Sequence, residues 1–220
     1  MRCEMACAMK RLLACLIPLA AWAQVTPEAI RRSPNQEWLT YHGDYSAQRH
    51  SSLSQITPAN AKSLVAQWVF HIEGAKKLEA TPIVHDGLMY ISNTNEMYAL
   101  DARSGRQVWR YRASGAKGTR VNRGSAILGN RVYFATADCH LIALDRSTGN
   151  LIFDVEYASF AGGYTTSIAP LAIRNGILVG VAGGGSGQRG FVASLHPETG
   201  KENWRFWTVP AKGEPGSDTW

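Results

Sequence analysis

The sequence predicts an all-β chain built from repeated four-stranded units, and three observations carry that prediction. An eleven-residue stretch from Ala99 to Trp109, ALDARSGRQVW, returns as ALDRSTGNLIF from Ala143 and as SLHPETGKENW from Ser194, at spacings of 44 and 51 residues. Ahead of each copy lies an alternating apolar segment broken by a turn dipeptide: Asp86-Gly87, Gly129-Asn130 and Asn175-Gly176. Pro, Gly, Asn and Asp are spread evenly along the chain, as in folds made of many short strands.

Each unit reads element by element. Asp-Gly and Asn-Gly between alternating strands signal tight hairpins, because type I′ turns need positive φ at both central residues. The repeated motif adds a third strand (Tyr98-Ala99-Leu100 in the first unit) and a turn closed by Gly105, Gly149 or Gly200. A fourth strand then carries Trp109, Phe153 or Trp204. Four antiparallel strands at this period are a propeller blade. The aromatic ring on the outermost strand is expected to stack over the glycine turn of the neighbouring blade; Phe153 can stack there but has no N–H to donate. Upstream, Leu64 to Phe70 with Trp68 reads as one more outer strand lacking its hairpin. Residues 39–63 are expected to lack regular strands, because Pro58 and scattered polar residues break the alternation. Three blades do not close a ring, which needs typically 4–8, so an incomplete propeller is expected.

The first 23 residues stand apart. Arg2, Lys10 and Arg11 precede an apolar run from Leu12 to Ala21, followed by Ala21-Trp22-Ala23, the small-x-small pattern of leader cleavage. Residues 1–23 are read as a signal peptide, 24–63 as an N-terminal extended segment and 64–220 as the blades. Cleavage lowers the formal charge from +6 to +4, because three basic residues and one acid leave with the leader, and among the cysteines only Cys139 remains. No intramolecular disulfide is then possible, no transmembrane span remains, and the expected location is periplasmic or secreted. No Lys/Arg run exceeds two, so the chain lacks the clustered cations of a nucleic-acid surface. The glycines of AGGGSG (Ala182 to Gly187) have no following lysine, which excludes a Walker-type phosphate loop; they suit close backbone approach to a planar ligand. The six histidines, His42, His50, His71, His85, His140 and His196, show no paired metal spacing and read as turn or surface residues.

Four motifs, EATPIVHDGLMY (Glu79 to Tyr90), the ALD…W repeat from Ala99, VNRG (Val121 to Gly124) and RGFVASLHPETGKENWRFWTVP (Arg189 to Pro210), resemble the quinoprotein alcohol dehydrogenases. The segment from Trp38 to Phe70 is similar to their mature N-terminal region. The resemblance implies PQQ-repeat β-propeller blades, about three four-stranded ones here, belonging to an eight-bladed propeller that carries pyrroloquinoline quinone (PQQ) and calcium on its axis. Position by position it implies quinone contacts from Glu79, Arg123 and Ser167, with Gly183 and Gly184 approaching the ring.

Two departures stand out. Lys117-Gly118 occupies the place of the family's adjacent cysteines, and Gly185 stands where the family has a calcium-ligating glutamate. Calcium takes six to eight oxygens and carboxylates are its strong ligands, so the calcium site is short of a ligand. The resemblance places the catalytic aspartate, the second calcium ligand and the aromatic floor beyond Trp220, so no catalytic residue is assigned and the 220 residues are expected to be inactive alone. It also implies a small alcohol as substrate and an electron acceptor such as a cytochrome c. The alternative function is a noncatalytic propeller scaffold of the outer-membrane assembly type.

Overall fold

The computed structural model describes residues 24–32, 35–75, 77–183, 185 and 187–219; the leader, and Gly184 of the glycine segment, lie outside them. Twelve strands form three separate four-stranded antiparallel sheets. The first blade comprises β1 (Ile83–His85), β2 (Leu88–Asn93), β3 (Glu96–Asp101) and β4 (Gln107–Arg112). The second holds β5 (Ser125–Leu128), β6 (Arg131–Ala135), β7 (His140–Asp145) and β8 (Leu151–Glu156). The third holds β9 (Leu171–Ile173), β10 (Gly176–Gly180), β11 (Phe191–Leu195) and β12 (Glu202–Trp207). The all-β blade architecture expected from the repeat is therefore what the chain adopts. The first strands lie innermost, with β5 packed between β1 and β9. A single backbone bridge between Thr81 and Gly124 is parallel, as the common direction of the inner strands requires.

The first hairpin turns as its sequence dictates: Asp86 and Gly87 have φ of 52° and 73°, the signature of a type I′ turn. In the second hairpin only Gly129 is positive, at 60°. The third corrects the sequence reading. Ile173 pairs with Gly176, so the turn residues are Arg174 and Asn175, neither at positive φ, and Gly176 begins the strand. Gly176 is needed there for packing, since a Cβ would overlap the Ser194 hydroxyl.

The repeated eleven residues build the same turn three times. Asp101 Oδ1 accepts from the backbone N–H and hydroxyl of Ser104 at 2.8 and 2.7 Å, and Gly105 N–H returns to the Asp101 carbonyl. Asp145 accepts four such bonds from Ser147 and Thr148. In the third blade His196 Nδ1 does this work, accepting from Glu198 N–H. The register slips at the same step in every blade, at Ala99/Leu100, Ala143/Leu144 and Ser194/Leu195.

The aromatics of the first two outer strands, and Trp68 ahead of them, each dock on the blade that follows. A Cβ on Gly149 would lie 2.7 Å from the Trp109 ring, one on Gly105 would lie 2.5 Å from Trp68, and one on Gly200 would lie 3.0 Å from Phe153. The Trp109 indole N–H and the Tyr90 hydroxyl both donate to the Arg146 carbonyl, at 3.0 and 3.2 Å. Phe153 has no such donor, and the Tyr133 hydroxyl alone reaches the matching Pro197 carbonyl at 2.8 Å. Trp204 and Phe206, on the outer face of the third blade, are 47% and 65% exposed.

Leu64 to Phe70 forms no strand, contrary to the expectation from its pattern. A strand needs a ladder partner, and none of the described residues supplies one. Trp68 nevertheless sits over Gly105 and donates to the Ala102 carbonyl at 3.3 Å, as an outer-strand tryptophan should. Residues 39–63 hold no strand either, only a 3-10 turn at Ala61–Ser63.

Residues 24–45 strap the three blades at the hairpin-turn end. Val25 exchanges two backbone bonds with Gly129 of the second blade, and Trp38 exchanges two with Val84 of the first. Tyr45 donates its hydroxyl to Ala172 of the third. Val25, Ile30 and Leu39 are buried in the common core. His85, read as a surface residue, is in fact buried at the end of β1 with Nδ1 2.7 Å from Glu37 of the strap. Among the described residues no helix is long and apolar enough to cross a membrane.

Gly149→Ala is expected to destabilise the chain by about 2–4 kcal/mol, because it adds a methyl under the Trp109 ring at a φ of 74°. Urea unfolding checks this, and a loss below about 0.5 kcal/mol would refute the docking. A second outcome concerns acid. Burial opposes ionisation of Asp145, but bonds from Ser147 and Thr148 hold its carboxyl below the ordinary value. Its contribution is therefore complete above the unfolded value of about 3.9 and is lost as pH falls through the lower folded value. Asp145→Asn should be less stable than the native chain at pH 7, with the gap narrowing as pH falls below about 4; a gap that widens on acidification would contradict this.

Candidate cofactor-edge site

Three connections lead into the inner strands from the end opposite the strap, and each brings one residue singled out by the sequence. Glu79 precedes β1, Arg123 precedes β5 and Ser167 precedes β9. They meet. Arg123 Nη2 lies 3.3 Å from Glu79 Oε2, while Arg123 Nη1 donates to the Ser167 carbonyl at 3.2 Å and also to its hydroxyl. One guanidinium thus spans a carboxylate from the first blade and a hydroxyl from the third.

The backbone beneath explains why the guanidinium is so placed. Thr81 N–H donates to the Arg123 carbonyl at 3.0 Å, and Gly124 has φ of 144° with Thr81 O only 3.1 Å from where a Cβ would be. A side chain at 124 would push the two connections apart. Arg123 remains 46% exposed along its side chain, so its charge faces outward from this end of the blades.

Sequence reading missed Lys77, whose ammonium pairs with Glu79 Oε1. The signal was present: residues i and i+2 of an extended segment share a face, which puts Lys77 beside Glu79. The hydrogen bond from Lys77, against some desolvation, holds the Glu79 carboxyl below its usual range, and the charges of Lys77 and Arg123 add to this. Glu79 is thereby kept as an anion with one oxygen turned to each cation. Beside Lys77 opens a depression of about 570 Å³ lined by Asn95, Glu96, Arg112, Gly118 and Thr119.

The place of the expected cysteine pair is held differently. Lys117 N–H donates to the buried Asp138 carboxylate at 2.7 Å, and Gly118, at φ 80°, leaves 3.2 Å between its absent Cβ and the Ala137 methyl. The described part of the glycine segment packs against its own loop. At Gly183, φ is 134° and a Cβ would meet Gln188 and the Gly163 carbonyl, both at 3.2 Å, so this glycine makes room for a side chain of its own loop. A Cβ on Gly185 would meet nothing within 4 Å, and its φ is not positive. Arg189 closes this loop by lying over the Trp207 ring, 4.5 Å from its centroid, and pairing with Glu214 at 2.9 Å.

Among the described residues no group of three or more His, Cys, Asp or Glu is arranged to hold a metal. Glu79, Arg123 and Ser167 set a carboxylate, a guanidinium and a hydroxyl side by side, each from the connection into a different blade.

The chain is similar to known proteins over most of its length. A quinohemoprotein alcohol dehydrogenase, ADH IIB, of Pseudomonas putida is 40% identical over 93% of this chain, which spans 31% of that protein. The quinohemoprotein alcohol dehydrogenase of Comamonas testosteroni is 35% identical, and its crystal structure superposes with a TM-score of 0.76 over 84% of this chain and 29% of that one. A europium-containing methanol dehydrogenase superposes with a TM-score of 0.77 at 29% identity, over 83% of this chain and 34% of that one. The chain spans about a third of the length of these relatives. Residues 38–220 match the family model described as PQQ, glucose/ethanol/alcohol dehydrogenase, beta-propeller domain, and on that match, over a fold of three blades, the chain belongs to this family of PQQ propellers.

Proposed function

We propose that the chain forms the first three blades of a periplasmic PQQ-dependent alcohol dehydrogenase and holds one edge of the quinone. The observation that carries this reading is the junction of Glu79, Arg123 and Ser167, drawn from three blades onto one guanidinium. Bound PQQ would supply two-electron oxidation of an alcohol, passing the electrons to an acceptor such as a cytochrome c. The chain's own residues bind and orient. Arg123 offers N–H donors and a fixed positive charge to oxygens that become more negative on reduction. Ser167 adds a hydroxyl donor, and Glu79, held anionic by Lys77, accepts from any protonated group on the same edge and keeps Arg123 in place. The relatives, named as quinohemoprotein and quinone alcohol dehydrogenases, support this chemistry. No step is assigned to calcium, because Gly185 stands where the resemblance places a calcium-ligating glutamate.

Titration of the chain with PQQ, followed by absorbance or fluorescence, tests the reading. The expected result is weak binding that Arg123→Ala reduces by about tenfold or more, the equivalent of ~1.4 kcal/mol, with no alcohol oxidation in the presence of an artificial electron acceptor. Binding indifferent to Arg123, or no binding at all, would overturn it.

Gly185 gives a separate outcome. Open space and an ordinary φ allow a side chain there, so Gly185→Glu should change unfolding free energy by less than about 0.5 kcal/mol. One carboxylate does not make a calcium site, so in this chain the calcium dependence of PQQ binding should stay small. In a protein extended by the remaining blades the same change should strengthen it. A large calcium effect in the 220-residue variant would show that a second ligand is already in place.

A further inference from the structure

The residue just before Arg123 is buried, polar and fully engaged. Asn122 is 4% exposed. Its Oδ1 accepts from the Ser92 hydroxyl at 2.5 Å and from the Gly124 N–H at 2.8 Å, while its Nδ2 donates to the Ala135 carbonyl at 2.7 Å. Ser92 lies on β2 of the first blade and Ala135 on β6 of the second. One amide therefore clamps the 121–124 backbone to both blades, using donor and acceptor atoms that would each leave a buried orphan if removed. Between Asn122 and the Thr81 bond to the Arg123 carbonyl, the main chain at Arg123 is held from both sides. The long side chain starts from a fixed Cα, so the order of its guanidinium depends on that clamp.

We infer that Asn122 is a positioning residue, which makes no contact with a ligand itself and sets Arg123 between Glu79 and Ser167 by tying the VNRG segment to two blades at once. The claim concerns the ligand-free chain and deepens the quinone-edge reading by naming what preorganises its cation. A role confined to general stability predicts something different. It would loosen the fold everywhere and would act whether or not Arg123 is present.

A double-mutant cycle read on the ligand-free protein separates these. The Glu79 carboxylate, flanked by Lys77 and Arg123, is titrated by carbon-detected NMR, and exchange of the Thr81 amide is followed beside that of Ile142 in the core of the second blade. In Asn122→Ala the Glu79 midpoint should rise in the same direction as in Arg123→Ala, and the double variant should show no rise beyond that of Arg123→Ala alone. Thr81 exchange should quicken by about tenfold or more while Ile142 stays protected. Ser92→Ala, which removes one of three bonds, should shift both readouts the same way by less, and it decides the matter if Asn122→Ala does not fold. An unchanged Glu79 midpoint, equal loss of protection at Thr81 and Ile142, or a further rise in the double variant would overturn the inference. PQQ titration of the same proteins is a separate arm. Failure of the native chain to bind defeats the quinone reading, and the carboxylate and amide readouts still decide the role of Asn122.

Discussion

Everything in this chain hangs on an aromatic ring seated over a glycine of the next blade. Each four-stranded sheet has an apolar face too large to leave in water and too small to form a core alone, so a blade is stable only against a neighbour. The ring supplies area, and the absent Cβ supplies room for it to come down flat. Trp109 is 7% exposed over Gly149, whereas Trp204, the same position without a following blade among the described residues, is 47% exposed. A hydrogen bond fixes the register of each contact. Trp109 and Tyr90 share the Arg146 carbonyl, and at Phe153 the Tyr133 hydroxyl carries the matching bond alone. Two aromatic donors on one acceptor explain why the tryptophan is replaceable at that step.

That docking also makes the site. With blades packed side by side and their inner strands parallel, the connections 77–82, 119–124 and 165–170 necessarily converge on one end. A carboxylate, a guanidinium and a hydroxyl far apart in the chain then fall within reach of each other. The polar clamps at Asn122 and Asp138 lie under these connections. They are buried because the blades are packed, and satisfied because the packing brings their partners close.

Much of this was legible from residues alone, and the failures have physical causes. The Asp86-Gly87 turn, the three D/H-x-x-[ST]-G turns and the ring-on-glycine contacts follow from local chemistry repeated at a fixed spacing. Asn175-Gly176 was misread by one residue, because Gly176 answers to the Ser194 hydroxyl across the sheet and not to the turn. Leu64 to Phe70 has the composition of a strand, but strand geometry is a property of a pair, and its partner is not local. His85 was taken for a surface residue because Glu37, which covers it, lies 48 positions earlier. For the site, Glu79, Arg123 and Ser167 rested on family resemblance, and their junction is a three-dimensional fact no spacing contains. Lys77 was readable from its alternation with Glu79. Asn122 was not, since its partners Ser92 and Ala135 are brought to it only by two blades meeting.

The two ends of the blade stack are made unlike by connection length and by the strap. At one end each blade turns in two residues between its first two strands and in five or six between its last two, and residues 24–45 lie against it with Val25, Ile30 and Leu39 buried. At the other end residues 113–124 and 157–170 must travel from an outer strand back to the axis. Such paths need backbone with unusual φ, and they have it at Gly115, Gly118, Gly124 and Gly163. Long connections present their side chains and N–H groups to solvent, which loops on a rigid scaffold commonly turn to binding. The charged junction therefore sits among the long connections that lead into the inner strands, at the end away from the strap and its buried Val25, Ile30 and Leu39.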